Sequence, residues 1–347
     1  MICFPNAKIN IGLHITEKRP DGYHNIESIF YPIPLKDALE VVKSEKTSFT
    51  QTGLPLGIAP EDNLVMKAYG LMAGKYELPK LDIFLKKAIP SGAGLGGGSA
   101  DAAFMLIMLQ KMYQQYVFSL DDENKQSDDN MEMRKGRPHS QVVPIIKMAE
   151  SIGADCPFFL HNTPALVTGT GNIFQPSDIS LKGYIIYIVK PPVSISTKEA
   201  YSMINPQKPV FSLNKLSSIP VREWKYVVKN DFELSMFKKF PIIKEIKDKL
   251  YSLGAEYASM SGSGSAVYGL FKNNTTYPIS PNSPNSLKSP ISPTSPTFPN
   301  YQTSPNSPIS PTSPTSPISP FPPFPPFSPF PPFSPFSPFS PWIGILE

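Results

Sequence analysis

One glycine-rich stretch constrains what this chain can fold into more than any other segment. It lies between residues 81–85, an apolar run typical of a strand, and residues 102–113, which are typical of a helix. Glycine has no Cβ atom, so such a backbone can approach a bulky anion closely, and the N–H groups at the start of a helix favour phosphate. Ser99 and Asp101 are residue types that often cap helix N-termini. The stretch consists of Pro90, Ser91, Gly92, Ala93, Gly94, Leu95, Gly96, Gly97, Gly98 and Ser99. Its position between two apolar elements predicts a phosphate-binding loop rather than a flexible linker.

Two well-known phosphate loops fit this stretch less well. A P-loop would end in Gly-Lys-Ser or Gly-Lys-Thr, and that ending is missing from the stretch. Gly92, Gly94 and Gly97 match Gly-x-Gly-x-x-Gly, but a dinucleotide-binding unit also needs an acidic residue about 20 positions later, at the end of a second strand. Residues 114–121 are polar and do not resemble the end of a strand. A dinucleotide-binding enzyme therefore stays open as the second interpretation.

The composition limits the class of protein. The chain has 347 residues, enough for two domains, and its formal net charge of +4 comes without a basic stripe, so charge does not imply nucleic-acid binding. Cys3 and Cys156 lack metal-ligand spacing, and we expect reduced thiols in a cytoplasmic protein. Met1 leads directly into Ile2-Cys3-Phe4-Pro5, so we expect no signal peptide. No apolar run approaches the roughly 20 residues of a membrane-spanning helix, so we expect no membrane partner.

Low-complexity sequence occupies the C-terminal part of the chain. From Pro278 to Pro341 a proline recurs at every third position, broken at Leu287 and Gln302, and phenylalanine does the same over residues 321–339. We expect residues 273–347 to be a disordered or extended Ser/Pro/Phe tail, because such a segment cannot pack a core. It is either a docking tail for aromatic-lined grooves or a simple repeat expansion. A second polar patch at residues 121–140 predicts a solvated loop insertion.

The remaining sequence mixes helical and strand patterns without strict β-α-β alternation, which favours an α+β fold over a doubly wound sheet. Predicted strands lie at residues 9–15, 38–42, 184–189 and 266–271, the last being the final strand of the fold. Predicted helices lie at residues 63–76, 143–152 and 241–253.

Three further segments accompany the glycine loop. The first is Pro5-Asn6-Ala7-Lys8-Ile9-Asn10, followed by Arg19-Pro20-Asp21-Gly22-Tyr23-His24. The second is Gly153-Ala154-Asp155-Cys156-Pro157-Phe158-Phe159, and the third is Met260-Ser261-Gly262-Ser263-Gly264-Ser265. Together with the loop, these segments resemble the GHMP kinase superfamily over roughly residues 1–272. Within it, Lys8-x-Asn10 and Asp21-Gly22-Tyr23-His24 resemble the branch that phosphorylates a cytidylyl sugar alcohol.

The resemblance implies a two-domain α+β fold. Residues 1–160 would form the ATP-binding N-terminal domain, which is ribosomal-protein-S5-domain-2-like. Residues 161–272 would form a C-terminal domain of the ferredoxin-like α/β-plait type. Family members continue after the last strand with a further helix and strand, whereas here Asn273 begins the Ser/Pro-rich tail. It therefore stays open whether the C-terminal domain is truncated before the tail at residues 273–347.

The resemblance also implies the residue roles. The loop would bind the phosphates of ATP. Mg²⁺ would accompany the ATP, with no dedicated protein ligands for the metal. Asp155 would deprotonate the tertiary 2-hydroxyl of the substrate, with Lys8 beside it countering charge on the transferred phosphoryl group. Asn10 would orient the sugar-like hydroxyls. The cytosine ring would lie between Tyr23 and Tyr201, with His24 at its edge. The site would be closed by the loop that contains Gly262, Ser263, Gly264 and Ser265.

The implied activity is ATP-dependent phosphorylation of a cytidylyl sugar alcohol in non-mevalonate isoprenoid precursor biosynthesis. The partners are then small molecules, and the chain is expected to be a monomer or a weak homodimer. Two alternatives stay open: another small-molecule kinase of the homoserine or mevalonate type, and a chain whose catalysis is impaired by its replaced C-terminus.

Overall fold

The computed structural model describes residues 1–125, 144–273 and 342–346 of the chain. Three four-stranded sheets organise these residues. The first has the order β1-β4-β6-β5, the second β2-β3-β7-β8 and the third β10-β11-β9-β12. The strands are β1 (Ile2–Cys3), β2 (Asn6–Lys18), β3 (His24–Lys36), β4 (Ala38–Lys43), β5 (Ser48–Gly53), β6 (Leu81–Lys87), β7 (Ala165–Thr168), β8 (Ile173–Pro176), β9 (Tyr184–Val189), β10 (Tyr257–Met260), β11 (Val267–Lys272) and β12 (Trp342–Leu346).

Eight α-helices accompany these sheets in the described part of the chain. They are α1 (Leu64–Ala73), α2 (Gly97–Lys125), α3 (Ile145–Ile152), α4 (Cys156–His161), α5 (Thr197–Ser202), α6 (Trp224–Val227), α7 (Phe232–Lys239) and α8 (Pro241–Ser252). Asn63 caps the start of α1, because its side chain accepts a hydrogen bond from the Val65 amide at 2.9 Å. Gly254, with a φ of +96°, follows the end of α8 in the left-handed conformation that glycine adopts readily.

Two of the apolar cores among the described residues position the three sheets. One lies between the first sheet and helices α1–α3, where Ile83 of β6, Val65 of α1 and Leu106 of α2 are fully buried. The other lies between the second and third sheets, where Ile9 of β2 and Ile29 of β3 share one apolar cluster with residues of β9 and β11. Because the second core joins strands from both halves of the chain, it fixes the position of the third sheet against β2 and β3.

The sheet topology decides against the dinucleotide-binding interpretation. Among the described residues, β5 and β6 form the single parallel pair of strands, and all other strand pairs are antiparallel. A doubly wound sheet is built from parallel strands, so the glycine loop between β6 and α2 does not belong to such a fold.

Two short strands lie beyond the expected domain boundary after residue 160, yet they extend a sheet whose other strands lie before it. Strand β7 pairs with β3, and β8 pairs with β7, so residues 165–176 belong to the second sheet together with β2. Each of the two strands has only four residues, which explains why the sequence between 161 and 183 shows no strong strand pattern. The second sheet is therefore built from both sides of that boundary.

The end of the chain differs most from expectation. Residues Trp342–Leu346 form β12, which pairs antiparallel with β9, so the expectation of a tail over all of residues 273–347 is wrong for these five residues, and β11 is not the final strand. Leu346 is 3% exposed and lies in the core between the second and third sheets. The proline repeat ends at Pro341, and the apolar sequence after it carries the strand. Residues 274–341 lie outside the described residues.

Two smaller expectations change at α2. The helix begins at Gly97, so Ser99 and Asp101 lie inside its first turns rather than at its cap. It continues to Lys125, so residues 121–125 are helical, whereas the rest of the expected loop at 121–140 lies outside the described residues.

The burial of β12 generates a prediction about stability. We expect Leu346→Ala to lower the free energy of unfolding by about 2–5 kcal/mol, because it leaves a cavity in the shared core. The matched control is Ile345→Ala at a residue that is 56% exposed, which should change stability by less than about 0.5 kcal/mol. Urea unfolding of both variants is the measurement. Equal, small effects would show that β12 is not part of the folded core.

Candidate active site

A cleft of about 680 Å³ brings together most of the site residues that were predicted from the sequence. Of those predicted residues, the cleft is lined by Lys8, Asn10, Tyr23, His24, Gly92, Gly94, Gly96, Asp155, Tyr201, Gly262, Ser263 and Gly264. Ser265 is not among the lining residues. It is buried, and its hydroxyl donates to the Val193 carbonyl at 2.7 Å, so its contact is a structural one.

The phosphate loop is anchored through its two apolar residues. Ala93 and Leu95 are each 1% exposed and lie in the core, while Gly92, Gly94 and Gly96 have φ between +60° and +75°. A left-handed backbone favours glycine, and at Gly96 a Cβ atom would also lie 2.9 Å from the Phe159 ring. The alternation therefore holds the apolar side chains inside and leaves the glycine backbone facing the cleft.

Lys8 connects this loop to the cleft. Its amide donates to the Leu95 carbonyl at 3.0 Å, which ties β2 to the loop. Its ammonium group is buried, donates to Asn10 Oδ1 at 2.5 Å and lies 4.4 Å from the centre of the Phe30 ring. A buried charge needs such partners, because it has lost its hydration. Lys8 is thus held at the base of the cleft.

Asp155 lies opposite Lys8, with 3.4 Å between its Oδ2 and Lys8 Nζ. It occupies the N-cap position of α4, yet its side chain makes no capping hydrogen bond. The side chain is 30% exposed, so it is accessible from the cleft while paired with a buried ammonium. Asp155 is also the one acidic residue among the described residues that line the cleft.

Asn10 makes contacts that differ from those expected of a residue orienting substrate hydroxyls. Its Oδ1 accepts from Lys8, its Nδ2 donates to Ser28 Oγ at 2.9 Å, and the residue is 2% exposed. Both ends of the amide are therefore used inside the protein. This arrangement favours a role for Asn10 in orienting Lys8.

The aromatic residues lie at the other end of the cleft. His24 stacks on Tyr201 with 4.9 Å between ring centres, and Tyr201 meets Phe232 edge to face with 5.0 Å between ring centres. Tyr23 is 68% exposed and lines the same cleft. Burial, and secondarily the charge of Asp155, raises the pKa of Tyr201 to about 12. Burial, and secondarily the charge of Lys18, lowers the pKa of His24, so its imidazole is neutral at pH 7.

The loop after β10 joins the two halves of the site. Ser261 Oγ donates to the Gly94 carbonyl at 2.8 Å, and the Ala266 amide donates to the Ala93 carbonyl at 3.2 Å. At Gly94, a Cβ atom would collide with the Ser261 carbonyl, so only glycine permits this approach. The phosphate loop is therefore held from β2 on one side and from this second loop on the other.

A second cavity, of about 300 Å³, lies along the phosphate loop. It contains the loop residues that do not line the main cleft, and its further walls include Leu56, Ile58, Asn63 and Leu64. These four residues were not predicted from the sequence. Apolar side chains around one amide suit a flat heterocycle. No sequence signal marked these residues, because they lie well before the loop in the chain and only the fold brings them beside it.

A buried ionic cluster supports the start of α2. Lys87 Nζ contacts Asp101 Oδ2 at 2.6 Å and also Asp37, which accepts hydrogen bonds from the Ala88 and Ile89 amides. Burial raises the pKa of Asp101, and its Oδ1 has no hydrogen-bond partner among the described residues. Lys87 was not predicted from the sequence, although a lysine that directly joins an apolar strand run to a phosphate loop was a usable signal.

Comparisons with known proteins agree with this geometry. Residues 63–127 match the GHMP kinases N terminal domain, and residues 222–276 match the GHMP kinases C terminal domain. A protein of Parabacteroides distasonis is 54% identical over 277 residues, which cover 80% of this chain and 94% of the relative. A protein of Bacteroides fragilis is 51% identical over 78% of this chain and 92% of the relative. Both are described as 4-diphosphocytidyl-2-C-methyl-D-erythritol kinases.

The chain belongs to the GHMP kinase family, among the 4-diphosphocytidyl-2-C-methyl-D-erythritol kinases. It is therefore a small-molecule kinase, and GHMP kinases use ATP as the phosphate donor. A crystal structure of 4-(cytidine 5'-diphospho)-2C-methyl-D-erythritol kinase superposes with a TM-score of 0.62 at 29% identity, and the match covers 78% of this chain and 90% of that one. These findings confirm the predicted family and its two-domain α+β fold. No helix in the described ranges is long and apolar enough to cross a membrane.

The loop geometry of this GHMP kinase generates a prediction. We expect Gly96→Ala to lower turnover by about 10²-fold, because a Cβ atom there would push against the Phe159 ring and the Lys8 side chain, and catalysis is sensitive to small displacements. The matched control is Gly70→Ala in α1, where a Cβ atom meets nothing within 4 Å. That variant should keep full turnover and gain about 0.5–1 kcal/mol of stability. Steady-state kinetics and urea unfolding measure both effects, and full turnover of Gly96→Ala would contradict the packing argument.

Proposed function

We propose that this chain transfers the γ-phosphoryl group of ATP to the 2-hydroxyl of 4-diphosphocytidyl-2-C-methyl-D-erythritol. The observation that carries the proposal is the Lys8–Asp155 pair, which shares one cleft with the phosphate loop and the aromatic residues. Relatives at 42–54% identity share the corresponding description, which favours this substrate over homoserine or mevalonate.

Each part of the cleft has a role in this reaction. The backbone of residues 92–99 binds the ATP phosphates, and the heterocycle of the nucleotide occupies the cavity beside Asn63. Asp155 accepts the proton of the substrate hydroxyl, and Lys8 offsets negative charge on the transferred group. Mg²⁺ would supply neutralisation of the charge on the ATP phosphates, and among the described residues that line the cleft Asp155 is the carboxylate that would contact it.

The aromatic end of the cleft suits the cytosine ring. Tyr23 and Tyr201 offer flat apolar surfaces, and a neutral His24 can both donate and accept a hydrogen bond at the edge of a pyrimidine. His24 and Tyr201 are in contact with each other here, so the cytosine would enter between Tyr23 and this stacked pair or would displace His24 from Tyr201.

A direct assay tests the proposal. ADP release should depend on the cytidylyl sugar alcohol and should not occur with homoserine or mevalonate. Asp155→Asn should lower kcat by about 10²–10⁴-fold, the range for loss of a positioned base, in a protein that still unfolds cooperatively although Lys8 has lost its charged partner. Full turnover by a folded Asp155→Asn protein would remove Asp155 from the mechanism, and turnover of homoserine instead would overturn the substrate.

Two lysines in the cleft are candidates for binding the diphosphate of the substrate. Lys18 and Lys198 line the cleft, are exposed, and have no ion-pair partner in the described part of the chain. Lys18 also lies close enough to His24 to affect its pKa. We expect Lys18→Met and Lys198→Met each to raise the Kd of cytidine diphosphate about two- to fivefold, as for an exposed ion pair.

Cytidine without phosphates is the matched probe for these variants, and its Kd should not change. Lys208→Met removes the same charge from an exposed residue outside the cleft and should leave both Kd values unchanged. Isothermal titration calorimetry measures all of them. Equal losses for cytidine and cytidine diphosphate would show that the lysines do not bind the diphosphate.

A further inference from the structure

The connection between α6 and α7 contains a residue that the reaction described above does not use. The backbone of this connection pairs with β2, because the Leu13 amide donates to the Lys229 carbonyl at 2.9 Å and the Asp231 amide donates to the Leu13 carbonyl at 2.9 Å. No site role was predicted for it from the sequence. It contacts both β2, which carries Lys8, and the loop that follows β10.

Asn230 is the buried centre of this connection. It is 4% exposed, and its Nδ2 donates to two carbonyls, those of Met260 and Gly262, both at 2.8 Å. Its Oδ1 accepts from the Phe232 amide at 3.0 Å. The two donated bonds lie on either side of Ser261. Asn230 therefore fixes the backbone of the loop at the residue that reaches the phosphate loop.

The contacts continue from there into the catalytic cleft. Ser261 Oγ donates to the Gly94 carbonyl at 2.8 Å and accepts from the Asn10 amide at 3.3 Å. Gly94 belongs to the phosphate loop, and Asn10 accepts the hydrogen bond from the Lys8 ammonium. A displacement of Ser261 would thus reach both the phosphate site and Lys8.

We propose that Asn230 is a positioning residue for phosphoryl transfer, which acts by holding the loop at Ser261 against Gly94 and Asn10. The proposal rests on the kinase function proposed above. This role differs from simple helix capping, in which only the hydrogen bond from the Phe232 amide to Asn230 Oδ1 would matter.

Asn230→Asp distinguishes the two roles. Aspartate keeps the size of the side chain and accepts from the Phe232 amide, so under a capping role the variant keeps its kcat even though the buried charge lowers stability. It loses the two donated bonds and places an oxygen against two carbonyl oxygens. We expect kcat to fall about 10²-fold, as for displaced catalytic groups, while the Kd of cytidine diphosphate changes less than about threefold.

Ser261→Ala keeps the test decisive if Asn230→Asp does not fold. It removes the hydrogen bond to the Gly94 carbonyl from the loop that Asn230 holds, and it should also lower kcat with little effect on the Kd of cytidine diphosphate. The matched control is Asp231→Ala, which loses a 2.7 Å bond from the Ile15 amide but keeps every hydrogen bond to the loop. That variant should lose stability and keep its kcat.

The outcomes separate this proposal from the proposed function. Turnover of the cytidylyl substrate by the unmodified chain tests the function, and the ratio of variant to parent kcat tests Asn230. Folded Asn230→Asp and Ser261→Ala proteins with kcat close to that of the parent would overturn the positioning role. If Asp231→Ala lost as much kcat as Asn230→Asp, the positioning role would also be overturned. The loss of kcat would then result from lower stability and not from displacement of the loop at Ser261.

Discussion

The burial of the Lys8 ammonium is the constraint on which the site depends. A charge removed from water is costly unless it is paired and hydrogen-bonded, and here Asn10, Asp155 and the Phe30 ring supply the partners. Each partner comes from a different element: β2 itself, the start of α4, and β3. The strand that carries Lys8 also binds the phosphate loop through its backbone, so the position of the charge and the position of the loop are linked.

The third sheet completes this arrangement from the other half of the chain. Its core is shared with β2 and β3, and the loop that follows β10 reaches Gly94 through Ser261. Strand β12 contributes Leu346 to that shared core, although it lies beyond the proline repeats. The stability of the C-terminal sheet and the geometry of the phosphate loop therefore depend on the same packing.

The site residues that could be predicted from the sequence are those that lie in short, distinctive segments. The glycine loop, Lys8 and Asp155 lie in stretches with distinctive residues, and the structure brings them to one cleft. The sequence could not show that both ends of the Asn10 amide are occupied, that Asn230 holds the loop at Ser261, or that Lys87 pairs with two aspartates. Those contacts join residues far apart in the chain. Strand β12 was missed as well, because the long proline period obscured the five residues that follow it.

A double-mutant cycle on Lys8→Met and Asp155→Asn tests the central claim most directly. If the two groups act as one unit, kcat/KM of the double variant should be no lower than that of the more damaged single variant. Losses that multiply would contradict the account, because they would show that Lys8 and Asp155 act independently.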